Sequence, residues 1–342
     1  MMIMNEKLFR AITYDEKFGP KILMLSPTDF CNLSCKICWR LKKDATFNQP
    51  SFNFLKQIIR EAKEMGVETI DLTGGGEPLL RKDILEIMTL VKKLGMKGVM
   101  TTNSTLLKRE HLEKIVKIGW DEINLSLDGS IPSINDYIRG KNVFRKVIKV
   151  IELLQHVKKN RKSLKPIERL SFVITKKNLN NIEDYIKFAK KLKVNAINFS
   201  VLFERESNKE FWLQNNKEKV DEILQRSLKL AQKLDIKNNL KSIIDFGIQE
   251  HQPPKFCFAP WYMLFINANR EAMACCTLAS LYQNVLGKVN NLEEIWYGKK
   301  MEALRKRMKR RIFFKECKNC LPEFIQVFNQ LNDEMRKWNS KK

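Results

Sequence analysis

The chain has 342 residues, 44% of them hydrophobic and 30% charged, with a formal net charge of +24. So large an apolar share excludes disorder as the default state and can fill one large domain and a second, small one. No apolar run is long enough for a secretory signal or a bilayer span, so a soluble, cytoplasmic protein is expected. In that reducing compartment the eight cysteines read as metal ligands or redox groups before structural disulfides.

The positive field would attract phosphates, anionic membrane surfaces or an acidic protein. Many lysines, among them Lys92, Lys93, Lys190, Lys191 and Lys193, stand opposite the apolar positions of helical segments, the pattern of solvated faces. The tract Arg305 to Arg311 is the densest basic run and the one candidate docking patch.

In chain order, KILMLS at 21–26 predicts a first strand. A cysteine-bearing loop follows, then FLKQIIREAKEMG at 54–66, whose apolar spacing is helical and whose glycine is a stop signal. The unit recurs. Strands are predicted at 68–73, 98–102, 122–127, 170–175 and 195–201, with helices starting near Lys82, Leu107, Asn142 and Asn180 and a last helix over 217–236. Six such units in series require right-handed crossovers and hence a parallel α/β sheet, either open or curled into a partial barrel. In both forms ligands belong at the carboxyl ends of the strands.

Past Leu240 the pattern changes. The stretch 241–256 carries Pro253 and Pro254 and reads as a linker; WYMLFINAN at 261–269 and REAMACC at 270–276 suggest a hairpin. A helix, a cysteine pair and an amphipathic helix over 322–338 complete the chain. The expected organisation is an N-terminal extension (1–20), the α/β core (21–240), the linker (241–256), a small α+β domain (257–325) and a C-terminal helix and tail (326–342).

Cys31, Cys35 and Cys38 form CNLSCKIC directly after the first strand. Three thiolates on one short loop can hold three irons of a cubane and leave the fourth iron open. A structural zinc ion would need a fourth ligand, and the chain's histidines, His111, His156 and His251, are all remote in sequence.

CxxxCxxC at this place is the signature of the radical S-adenosylmethionine (SAM) superfamily, and the chain resembles that family well beyond the cysteines. Thr73-Gly74-Gly75-Gly76-Glu77-Pro78 resembles its GGEP element, Thr101-Thr102-Asn103-Ser104 its TNG segment with Ser104 in place of glycine, and Ser126-Leu127-Asp128-Gly129 followed by Arg139-Gly140 its SLDG and RG pair. The resemblance implies a partial (β/α)6 barrel and a [4Fe–4S] cluster whose open iron is chelated by SAM. Reductive cleavage of SAM would give a 5′-deoxyadenosyl radical that abstracts a hydrogen atom from substrate. It also implies that carbonyls at Gly74, Gly75 and Gly76, with the Glu77 side chain, receive the SAM ammonium, that Asn103 belongs to the same site, and that Ser126 and Arg139 touch its carboxylate or ribose. Asp128 reads equally well as a cap on the turn that follows. One position departs: Ile37 stands where an aromatic residue by the adenine is usual.

The remaining cysteines lie in CFAPW, a hairpin to Cys275-Cys276, then LGKV, EEIW and CKNC, a layout that resembles the SPASM/twitch extension of the family. Full SPASM domains use about seven cysteines for two clusters. Five suit the twitch form, which implies one auxiliary [4Fe–4S] cluster on Cys257, Cys275, Cys317 and Cys320, with Cys276 as an alternative to Cys275. The hairpin glycine of the family is replaced near Arg270 or Glu271.

The expected function is a radical SAM enzyme with a low-potential electron donor, a ferredoxin or flavodoxin, as partner. Its substrate is expected to be a peptide or protein, although about 20 residues before the first strand are too few for a winged-helix peptide-recognition domain. The alternatives are oxidation of a small molecule such as a cyclitol or sugar alcohol, RNA modification served by the basic charge and, last, a zinc-stabilised binding module without enzymatic activity. The sequence names no substrate-side acid or base.

Overall fold

A computed structural model describes residues 4–38, 47–213, 217–247, 253–280 and 284–339. Six parallel strands lie side by side in chain order: β1 (Ile22–Leu25), β2 (Thr69–Leu72), β3 (Lys97–Thr102), β4 (Glu122–Ser126), β5 (Ile167–Ile174) and β6 (Ala196–Val201). A seventh, β7 (Met263–Ile266), adds in parallel to the free edge of β1. It carries an antiparallel extension of β8 (Glu271–Met273) and β9 (Gly287–Lys288), so the sheet has nine strands in the order β6-β5-β4-β3-β2-β1-β7-β8-β9. Among the described residues no helix is long and apolar enough to cross a membrane.

The strands alternate, and the alternation explains the layering. Leu23, Leu25, Ile70, Leu72, Met100, Ile123, Leu125, Leu170, Phe172 and Ile174 point to the helical layer and are almost wholly buried. The crossover helices meet them with apolar stripes at helical spacing, such as Leu55, Ile58, Ile59 and Ala62 of the helix Phe52–Glu64. A parallel sheet covered by helices on one face and closed on itself would be apolar on both faces. Here the opposite face is largely polar, as a face turned toward a ligand cavity would be.

The structure departs from the sequence expectation in three places. A helix at Pro132–Arg139, with proline in its first turn, precedes the one expected near Asn142. The expected linker 241–256 begins inside a helix, Leu240–Phe246, whose Leu240 and Ile243 are buried against the C-terminal helix; positions 248–252 lie outside the described residues. The N-terminal extension contains a packed helix, Glu6–Thr13, whose Phe9 ring stands 5.4 Å from that of Trp338.

Trp296 ties these outer parts together. It is fully buried, its indole N–H donates to the Phe18 carbonyl at 2.7 Å, and the Arg305 guanidinium lies 4.7 Å from its ring. Trp296→Ala is expected to cost about 3–5 kcal/mol, read as a lowered denaturant midpoint.

Candidate active site and cysteine centre

The loop after β1 is held from three sides before it presents its cysteines. Arg81, itself buried, donates to the Pro27 and Pro50 carbonyls at 2.9 and 2.7 Å while its other edge grips Asp83. The Glu77 amide donates to the Phe30 carbonyl at 2.8 Å, and the Lys36 amide to the Ile138 carbonyl at 2.9 Å. The Cys35 thiol rests 3.8 Å from the Arg139 carbonyl. Cys31, Cys35 and Cys38 then line one open cavity of about 380 Å3 together with Gly74, Gly75, Gly76, Glu77, Asn103, Ser126 and Arg139. Burial pushes the Cys31 thiol up, and pushes Cys35 up to about 11 against the opposing pull of Arg139. A cationic cluster reverses that preference, since thiolate ligation requires the deprotonated form.

The glycines make the turn after β2 thin enough to lie against β1. Gly74 has φ +131°, and a Cβ there would come within 2.8 Å of the Ser26 Cβ; a Cβ on Gly76 would meet the Phe30 carbonyl oxygen at 2.1 Å. The Gly75 amide donates to Ser26 Oγ at 2.9 Å. Glu77 is buried, and its carboxylate accepts from Thr102 Oγ1, the Asn103 amide and the Leu79 amide at 2.7, 2.7 and 3.1 Å. Its side chain therefore braces the glycine turn to the end of β3. Asn103 turns its amide toward Asn32 at 2.9 Å, with the Cys31 sulfur at 3.9 Å. Ser104 has φ +67°, the left-handed geometry that suits the glycine of the family's TNG segment.

Arg139 reaches the cavity from the helix Pro132–Arg139 and is paired from behind. Its Nε lies 2.5 Å from Asp128 Oδ2, with Asp128 wholly buried. Burial by itself would lower the guanidinium pKa, and Asp128 together with Cys35 and Tyr185 outweighs it, so the net shift is upward. Asp128 is fixed in turn: its Oδ1 accepts from the Val173 amide at 2.7 Å, and its own amide donates to Asn135 at 2.9 Å. It thus does more than cap a turn; it orients the guanidinium. Ile37 is buried with Ile138, Leu202 and Phe211 and also lines the cavity.

The residues Thr73, Thr101, Ser126 and Val173 line the cavity. By the two-residue period of strands, Asp71, Val99, Asn124, Glu122, Ser171 and Arg169 continue the same inner face toward the amino end. Arg169 pairs with Glu122 at 2.6 Å, and Asn124 donates to Thr101 Oγ1 at 3.3 Å. Asp71 Oδ1 and Asn124 Oδ1 are shut off from solvent without a hydrogen-bond partner. Burial, with Glu122 nearby, pushes Asp71 up to about 7. The apolar part of the same face is formed by Met24 and Phe265, level with Asp71 in register, with Met273 and Leu278 packed against Phe265. Sequence reasoning passed over Asp71 although the alternation of ETIDLT sets it opposite Ile70 and Leu72.

The folded protein holds the Asp71 proton to a higher pH than the unfolded chain, so this contribution to stability is full only below the ordinary carboxyl value of 3.8 and is lost as pH rises from there through about 7. Asp71→Asn removes that loss. The variant's gain in unfolding free energy over the parent should be larger at pH 8 than at pH 5.5, by about 2 kcal/mol.

The other cysteines meet at the far side of β7. Cys257, Cys275, Cys317 and Cys320 line a single cavity whose remaining walls include Met263, Leu278, Phe313, Phe324 and Phe328. Cys276 opens the short helix Cys276–Ser280, outside that lining, and packs beside Phe265 and Met273. Burial pushes Cys275 up to about 11 and Cys257 and Cys320 higher still. Arg270 takes φ +63° in the hairpin, so the turn keeps the left-handed geometry without the family's glycine. Among the described residues no three His, Cys, Asp or Glu side chains converge tightly enough for one ion, whereas a cubane spreads its thiolates over separate irons. Cys276→Ser should leave the iron content of the reconstituted protein unchanged, and Cys275→Ser should lower it by about four irons per chain.

Comparison with known proteins agrees with this geometry. Residues 25–189 match the Radical SAM superfamily, and residues 257–321 match SPASM, an iron–sulfur cluster-binding domain. The chain is similar to a "Probable GTP 3',8-cyclase" of Sulfolobus acidocaldarius, 35% identical over 176 residues, covering 51% of this chain and 54% of that protein. It is similar also to an "Fe-coproporphyrin III synthase" of Methanosarcina barkeri, 31% identical over 236 residues, 67% of this chain and 57% of that one. It therefore spans little more than half the length of these curated relatives. Among solved structures, Streptococcus suis SuiB bound to S-adenosylmethionine superposes with TM-score 0.69 at 19% identity, over 89% of this chain and 72% of that one. The structure of anSMEcpe with bound AdoMet superposes with TM-score 0.68 at 16% identity, over 91% of this chain and 85% of that one. At these identities the superpositions show the shared fold.

Proposed function

Since the chain belongs to the radical SAM superfamily and carries a SPASM-type iron–sulfur domain, we propose that it cleaves SAM reductively and modifies a peptide or protein. The two domains imply SAM and two [4Fe–4S] clusters as cofactors. When bound, the reduced cluster and SAM supply a 5′-deoxyadenosyl radical that takes a hydrogen atom from substrate.

The observation that carries this reading is the common cavity of three thiols, the glycine turn and Arg139 at the carboxyl ends of β1 to β4. In this proposal Cys31, Cys35 and Cys38 ligate the SAM-binding cluster. Carbonyls of Gly74 to Gly76 accept the SAM ammonium, and the Arg139 fork, oriented by Asp128, takes its carboxylate with Ser126 alongside. Glu77 and Asn103 keep the turn and the cysteine loop in place. Cys257, Cys275, Cys317 and Cys320 close the auxiliary cluster with four protein ligands, which suits electron transfer rather than substrate ligation. The partner is an acidic, low-potential carrier, a ferredoxin or flavodoxin.

The cavity mouth favours a peptide. Phe47 lines it and stacks at 6.1 Å on Phe30, both rings exposed, a surface suited to an extended chain bearing apolar side chains. The second reading, a small-molecule substrate, draws its support from the relatives named for GTP cyclisation and coproporphyrin synthesis.

Replacing Cys31, Cys35 and Cys38 together by alanine should abolish 5′-deoxyadenosine formation under reducing conditions while about four irons per chain remain. Chromatography of the reaction decides it: 5′-deoxyadenosine at the parental rate would remove these thiols from the SAM site.

A further inference from the structure

We propose that the inner barrel wall below the SAM cavity is the site that selects the substrate, and that it takes a nitrogen cation, an amine or guanidinium, rather than a phosphate. The inference rests on the reading of function above and sharpens it: a peptide substrate would insert a lysine or arginine side chain.

The wall is continuous with the cavity. Thr73 and Thr101 line the cavity, and Asp71, Val99 and Asn124 follow on the same face, with Asp71 about 6.6 Å deeper than Thr73 at roughly 3.3 Å per residue. Asp71 is the feature the fold itself does not explain. Its strand neighbours in register, Met24 and Val99, are apolar; no cation pairs with it, and its Oδ1 is closed off and without a donor. Leaving such a carboxyl unmatched costs free energy that no packing role offsets. Asn124 Oδ1 adds a second unmatched acceptor one strand over from Thr101.

The charges on this wall disfavour phosphate. Arg169 is held by Glu122 and Arg139 by Asp128, while Lys97, further toward the amino end, is exposed to solvent. Among the described residues of the wall the ionisable group without a counter-charge is therefore the carboxyl of Asp71. A nucleoside triphosphate would bring several negative charges to a surface with no free cation to meet them. An ammonium or guanidinium supplies the donors that Asp71 and Asn124 lack, and Met24 and Phe265, beside Asp71 in register, can cover an aliphatic stem.

The test is calorimetric titration of the anaerobically reconstituted holoprotein with SAM present. The probes are N-acetyl-lysine amide, N-acetyl-arginine amide, N-acetyl-norleucine amide, putrescine and GTP. The lysine or arginine derivative should bind at least about tenfold more tightly than the uncharged norleucine derivative, and Asp71→Asn should erase the preference while retaining full iron content and its melting transition. Putrescine binding more tightly than either amino-acid derivative, with the same dependence on Asp71, would uphold the cation site and overturn the peptide reading. GTP binding as tightly as the cations, no preference over norleucine, or a preference that survives Asp71→Asn would overturn the site.

Discussion

Strand β1 is hydrogen-bonded along both edges, to β2 on one side and β7 on the other, and both cysteine centres depend on it. The loop with Cys31, Cys35 and Cys38 leaves its carboxyl end. The turn after β2 docks on Ser26, one residue beyond it, and β7 runs between Cys257 and Cys275. Parallel pairing forces β1, β2 and β7 to point the same way, so the cysteine loop and the glycine turn emerge at their carboxyl end, whereas Cys257 before β7 and Cys275 after the antiparallel β8 lie at the amino end of β7. The two centres are therefore separated by a fixed number of strands rather than by a hinge.

Around that frame the site is built from buried polar groups that satisfy one another. Glu77 joins the glycine turn to β3, Asp128 joins Arg139 to β5, and Arg81 joins the cysteine loop to the start of the helix Phe52–Glu64. Each is charged and shielded, so each is costly to leave unmatched and correspondingly specific in what it holds. Substrate-facing precision in such a protein comes from these braces as much as from the groups that touch the ligand.

Much of this was legible in the sequence because its period was local. Alternating strands and amphipathic helices gave six units, and the cysteine, glycine, Asn103 and Arg139 motifs fell on the strand ends where a barrel uses them. The addition of β7 to β1 was not legible: it joins segments some 240 residues apart in sequence, and no short-range pattern encodes a parallel partner. The choice between Cys275 and Cys276 was likewise beyond spacing, since adjacent residues differ only in which way the backbone turns them. Asp71 was visible as a polar residue in an alternating strand, yet its lack of a partner required the three-dimensional surroundings.

The wall of the lumen changes character along the sheet, apolar at Met24 and Phe265 and polar at Asp71, Asn124 and the Glu122–Arg169 pair. An enclosure of that kind distinguishes the two ends and two faces of a molecule that enters it. In the proposed reaction, a radical generated at the cysteine loop would meet one carbon of a bound molecule and one of its two hydrogens in preference to the other. Regiochemistry and stereochemistry would thus be written into the sheet's inner surface, apart from whatever side chain performs acid or base chemistry.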